Sequence, residues 1–241
     1  MIRRRVARLA FVLLCSAPLP ALADVTAHYT LGGKEALTVE VDDGGNARLG
    51  VDGKFSLITR DGVDYVAIMM KGQVLVVRYA DLIALAKVKI KFDSGAQSAD
   101  EAKAFVLASG AAAEIAGHKG TTWTFGLKDA SPAAHMLEVV MSDDPELAPV
   151  GSLVRRMLEP AVPILQGMFP EASGFSTRVL ELLAKGTPLR AAPFLELGSV
   201  DRNEIDPHRF DLPGPVMSAE EFDKAADTPA ASGGSALPPL P

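Results

Sequence analysis

The chain has 241 residues, 48% of them hydrophobic, and a formal net charge of −6. That content excludes disorder along the whole chain and suffices for one sizeable core. The acidic balance argues against nucleic acid and anionic membrane surfaces as general partners.

Arg3, Arg4, Arg5 and Arg8 form a basic start, followed by an apolar run from Leu9 towards Leu22 and an A-x-A step at Ala21-Leu22-Ala23. This pattern predicts a secretory signal peptide over 1–23, a mature chain starting at Asp24, and a periplasmic or secreted destination. A membrane anchor fits less well, because the apolar run is short and Pro18 and Pro20 interrupt it. Cys15 follows Leu13 and Leu14 rather than small residues, which argues against a lipidation site. It is the single cysteine, so the mature chain is expected to lack disulfides and thiolate chemistry. Loss of the leader's four arginines takes the net charge to −10.

The first strand is expected over 25–31. In Leu37–Val41, Leu37, Val39 and Val41 alternate with Thr38 and Glu40, a half-buried strand with one wet face. Ala47–Val51 and Phe55–Arg60 continue the alternation, whereas Tyr65–Met70 and Val74–Val77 are apolar on both faces. Asp-Gly pairs at 43–44, 52–53 and 61–62, with Lys71-Gly72 beyond, are hairpin signals, because such turns favour positive φ at their central residues. The result is an antiparallel meander. The spacing of these pairs superficially matches calcium β-roll repeats, but only Gly44-Gly45 is a glycine pair there, and hairpin turns are the better reading.

Asp81 caps a short helix, Leu82–Lys87, and the polar stretch 94–103 reads as a loop or short helix. Strands are expected at Phe105–Ala108, Ala113–Ala116, Thr121–Phe125 and His135–Met141. Ser142-Asp143-Asp144-Pro145 then starts a helical region. Leu147, Val150, Val154, Met157 and Leu158 recur at helical spacing, with a break expected near Pro160 and a second segment through Met168. Phe175–Leu183 is a further helix ended by Lys185-Gly186. Strands return at Leu189–Ala191 and Phe194–Val200, and Phe210-Asp211-Leu212-Pro213 closes the domain. Residues 216–241 read as a flexible Pro/Ala/Gly-rich tail, with one or two helical turns at most over Ser218–Lys224 and a polyproline-II end, Leu237 to Pro241.

No catalytic signature emerges. His28, His118, His135 and His208 have no metal-pair spacing and read as surface or turn residues. Gly174-Phe175-Ser176-Thr177-Arg178 lacks the second glycine of a nucleophile elbow, and no phosphate-binding glycine motif is present. The Asp42-Asp43 and Asp143-Asp144 pairs have local explanations as a hairpin and a helix start. The expectation is a non-enzyme without cofactor or metal. The more informative signal is an excess of adaptable apolar side chains on the strands and the helical insert. Met69, Met70, Met157, Leu165 and Met168 are the candidate lining of an apolar ligand site. The competing reading makes them ordinary core.

The order of these segments resembles the bacterial lipoprotein-localisation-factor superfamily (LolA/LolB-like). More closely it resembles an uncharacterised periplasmic family assigned to that fold. The likeness rests on Gly117-His118-Lys119-Gly120-Thr121-Thr122-Trp123, Met141-Ser142-Asp143-Asp144-Pro145, Gly186-Thr187-Pro188-Leu189, Leu197–Val200 and Phe210-Asp211-Leu212-Pro213. It spans about residues 25–215. Gly120 stands where many relatives carry cysteine, so no redox role transfers. The resemblance implies an α+β domain over 24–215: a curved antiparallel sheet, an incomplete barrel, with helices from 145–184 packed on its concave face. About eight to eleven strands are expected. A lipid or acyl ligand is the first functional expectation. An envelope protein-interaction module, using an exposed sheet edge or the tail, is the second. An exported hydrolase is the least supported.

Overall fold

The computed structural model describes residues 24–89, 105–127, 137–168 and 173–227; the predicted leader, the 94–103 stretch, His135 and the end of the tail lie outside them. The fold is α+β. Strands β1 (Val25–Leu31), β2 (Glu35–Val41), β3 (Ala47–Val51), β4 (Phe55–Arg60), β5 (Val63–Met70) and β6 (Gln73–Arg78) form the meander. Helix α1 (Tyr79–Lys89) follows, then β7 (Phe105–Ile115), β8 (His118–Leu127) and β9 (Leu137–Ser142). The helical insert comprises α2 (Ala148–Leu158), α3 (Val162–Met168) and α4 (Ser173–Leu183). The chain ends with β10 (Thr187–Ala192), β11 (Leu195–Asp201), β12 (Val216–Met217) and α5 (Ala219–Asp227).

One sheet holds all twelve strands in the linear order β12-β6-β5-β4-β3-β2-β1-β11-β10-β9-β8-β7, so it is not closed into a barrel. Neighbours are antiparallel except β12, which runs parallel to β6. The tight turns are built as the sequence requires. Asp61-Gly62, Lys71-Gly72 and Ala116-Gly117 all have positive φ at both residues. The two runs expected at 105–108 and 113–116 are one strand, β7, carried through Gly110 and Ala111 by a bulge between Ser109 and Ala112.

The principal core joins α2 to the sheet. Leu147, Val150, Leu153 and Met157 pack with Val25, Ala27, Tyr29, Leu37, Val39 and Leu189. These positions recur every two residues on β1 and β2 and every three to four on α2. A second cluster sets Phe222 of α5 against Val66, Leu75 and Val77, and a third sets Leu182 and Leu183 of α4 against Val139 and Met141. Pro160 interrupts the insert as expected, by a 3-10 turn at Glu159–Ala161 between α2 and α3.

Two local expectations are corrected. Glu40, assigned to a wet face, is 6% exposed. The segment after β11 crosses that face and turns through a 3-10 helix, Pro207–Phe210, where Arg209 donates to both Glu40 carboxylate oxygens at 2.8 and 3.0 Å. Regular structure also runs past residue 215: the sequence reading of a flexible tail from 216 is replaced by β12 and α5 up to Asp227. The reason is Phe222, a single buried aromatic in an otherwise polar helix, 6% exposed. The Ser218 hydroxyl caps α5, accepting from the Glu221 amide, while the Glu221 carboxylate accepts from the Ser218 amide.

Candidate functional site

The structure does not gather the five candidate lining residues into one place. Met69 and Met70 are neighbours on β5, so the strand's two-residue period sends them to opposite faces. Met70 packs against the second cluster on the helix side. Met69 is 43% exposed on the other face, at the rim of a cleft of about 130 Å³ with Arg48, Ala67, Val74 and Pro213. Met157 is 3% exposed within the principal core, and its backbone carbonyl accepts a hydrogen bond from the Tyr79 hydroxyl. Leu165 and Met168 fall on α3, with side chains outside the described residues.

A different set of apolar side chains is shared between elements. Leu195, Leu31, Leu49, Phe55, Ile68 and Met70 are all half-buried, and all pack against the first or second cluster. The register places them on one face of the sheet, in short pairs rather than one unbroken row, since the partner of Leu31 on β2 is the exposed Glu35. Leu31 pairs with Leu195, Val51 with Phe55, and Phe55 with Ile68. Leu57 and Tyr79 touch both clusters and so join them into one apolar surface. Sequence reasoning overlooked this set because each member looks like an ordinary core position within its own strand. The signal was available in the register, which aligns the strand ends next to the turns at 32–34, 52–54, 71–72 and 193–194.

Charge is distributed unevenly between the two ends of the strands. The turns beside the apolar set carry Lys34, Lys54 and Lys71, with Glu35 and Asp52. Lys54 is paired with Glu35, and Lys71 donates to the carbonyls of Ala225 and Ala226 at the end of α5. The opposite end carries Asp42, Asp43, Asp61, Asp201, Glu204 and Asp206. Phe194, 62% exposed, projects from the β10–β11 turn at the lysine end. Next to it a cleft of about 330 Å³ is lined by Thr30, Gly33, Pro193, Leu195 and Glu196.

A polar cleft of about 190 Å³ lies at the other end, between β9, α2 and the end of α4, and includes Asp143, Asp144, Ser152 and Arg155. His118 Nδ1 is 3.0 Å from Asp144 Oδ2. The His118 ring and then the Glu146 amide hold the Asp144 carboxyl below its usual range. The neighbouring hydroxyls are committed to backbone carbonyls: Ser142 donates to Lys119 at 2.6 Å and Thr187 to Leu147 at 2.7 Å. The His118–Asp144 contact thus ties the β7–β8 hairpin to the turn that begins the helical insert, with Asp144 also capping that turn. Among the described residues no group of three or more His, Cys, Asp or Glu side chains is placed to hold a metal. No helix among them is long and apolar enough to cross a membrane.

No protein-family model matches the chain, and no curated protein matches it either.

Proposed function

We propose that this is an exported, non-enzymatic binding protein that holds an apolar or acyl ligand against the helix side of its sheet. The observation that carries the reading is the half-buried set Leu31, Leu195, Leu49, Phe55, Ile68 and Met70, which pack against the first or second cluster on the helix side of the sheet. Six large apolar side chains that are neither closed into core nor fully exposed suit a surface that becomes dry when a chain-like ligand lies on it. Each methylene so buried contributes about 0.8 kcal/mol. In this reading the sheet curves as an incomplete barrel around the helices, and the segment α2–α3 moves about its Pro160 turn to admit the ligand. Lys34, at the lysine end of the sheet, faces an acidic headgroup. The ligand contacts Met70 rather than Met157, since the surroundings of Met157 are already filled by protein.

Ile68→Asp tests this directly, with Met69→Asp as the control on the opposite face. Binding of a fluorescent long-chain fatty acid to the mature chain should weaken at least tenfold in Ile68→Asp and remain unchanged in Met69→Asp, with both variants cooperatively folded. Equal affinity in the two variants, or no binding by the parent chain, would contradict the site.

A second reading, an envelope protein-interaction module, is favoured by one specific feature: β7 is an outermost strand eleven residues long.

A further inference from the structure

On strands β3 to β6 the helix side of the sheet is open in its middle and closed at both ends. Two cross-strand lines of apolar side chains show this. Leu49 of β3 pairs with Leu57 of β4, Leu57 with Val66 of β5, and Val66 with Val77 of β6. Beside that line Val51 pairs with Phe55, Phe55 with Ile68, and Ile68 with Leu75. Leu49, Leu57, Phe55 and Ile68 are half-buried, whereas Val66, Val77 and Leu75 are buried. The step from open to closed falls where the C-terminal helix sits. Phe222 of α5, itself 6% exposed, forms one cluster with Val66, Leu75 and Val77, against which Ile68 and Met70 pack. Leu82 and Leu85 of α1 join the same cluster but are half-buried, so Phe222 is its buried aromatic. At the opposite end Val51 belongs to the principal core with Leu153 and Met157 of α2. From β3 to β6 the distance is three strand spacings, about 14 Å.

α5 is held in place along its length. Just before it, β12 pairs with β6. Ser218 and Glu221 cap its start. Asp223 pairs with Lys89 of α1, and the carbonyls of Ala225 and Ala226 accept from Lys71, the residue after Met70, at 3.3 and 2.9 Å. The Phe222 ring is therefore a fixed wall at the β6 end of the open surface.

We infer that Phe222 is the end stop of the acyl site and sets the length of chain that it takes. The inference rests on the acyl-ligand reading above and narrows it to a single unbranched chain of limited length. Laid across β3, β4 and β5, such a chain buries its methylenes on Leu49, Leu57, Phe55 and Ile68 until its methyl end meets the Phe222 ring. Further methylenes find no floor, because Leu75 and Val77 are already covered by protein. Affinity therefore rises about fourfold with each added methylene up to a limiting length, and stops rising there.

The test is a titration of the purified chain with saturated fatty acids of increasing length, each displacing a fluorescent fatty acid. It compares the parent with Phe222→Leu and Phe222→Trp, all checked for cooperative unfolding. Phe222→Leu should move the limiting length to longer chains, and Phe222→Trp to shorter ones. If the tryptophan variant does not fold, Phe222→Leu carries the test alone. The same limiting length in parent and variants, with affinity lowered by one common factor at every length, would mean that Phe222 only anchors α5 and would overturn the end stop. A parent chain that binds no fatty acid of any length would contradict the acyl reading itself, so the two failures are read separately.

Discussion

Arg209 shows how one distant side chain changes the meaning of a strand position. Alternation along Leu37–Val41 correctly separates Leu37 and Val39 from Thr38 and Glu40, but it cannot tell water from protein on the second face. Beneath the crossing segment Arg209, 169 residues away, supplies two N–H donors at once to the Glu40 side chain. Arg209→Ala strands a nearly buried carboxylate and should cost about 1–3 kcal/mol by chemical denaturation. Adding Glu40→Gln should recover part of that loss. At Asp144 the folded carboxyl titrates below its usual range, first through His118 and then through the Glu146 amide. Its contribution is therefore present above the unfolded value, about 4, and is lost as pH falls through the lower folded value. Between about pH 5 and 2 the melting temperature should fall, and Asp144→Asn should make that fall shallower. Asp201, Asp211 and Glu221 are lowered too, by hydrogen bonds first from the Asn203 amide, His208 and the Ser218 amide respectively, so the slope should not vanish.

At the scale of elements, most of the architecture was legible. Positive φ at Asp61-Gly62 and Lys71-Gly72 agrees with the hairpin reading, and the two-residue alternation places Leu37 and Val39 of β2 and Ala47 and Val51 of β3 in the core; on β4 it does not, because Ser56, Ile58 and Thr59 are buried while Phe55 and Leu57 are half-buried. Helical spacing places Leu147, Val150 and Met157 on the face of α2 that packs, whereas Leu158 of the same pattern is exposed and Leu153, outside it, is buried; proline chemistry marks the end of the helix. What was not legible depends on contacts between segments far apart in the chain. α5 is short and polar, and only the pocket formed by Val66, Leu75 and Val77 makes Phe222 decisive. Phe222→Ala should cost about 3–5 kcal/mol, whereas Met69→Ala, on the exposed side of β5, should stay within about 0.5 kcal/mol; thermal unfolding of the two variants checks the contrast. The candidate lining residues scattered for a simpler reason. Composition singled out methionines as a type, but a site is assembled by register, and adjacent residues of one strand cannot share a face. The register instead brings Leu31, Phe55, Ile68 and Leu195 onto one surface, and none of these stands out within its own strand.

The molecule as a whole is a single twelve-strand sheet with an acidic end, a lysine-bearing end next to the apolar set, one edge covered by its own C-terminal segment and one edge left long. The average charge of the chain hides this polarity, which is why composition alone argued only against partners. The proposed ligand lies where apolar surface and lysine meet. The central claim, that the protein carries an apolar ligand, is tested most directly by native mass spectrometry of the chain recovered from the cells that make it, followed by lipid extraction. A stoichiometric adduct of acyl-chain or lipid mass, displaced by added fatty acid and absent in Ile68→Asp, is the expected result. A clean mass of the bare polypeptide, unchanged after incubation with fatty acid or phospholipid, would contradict the account.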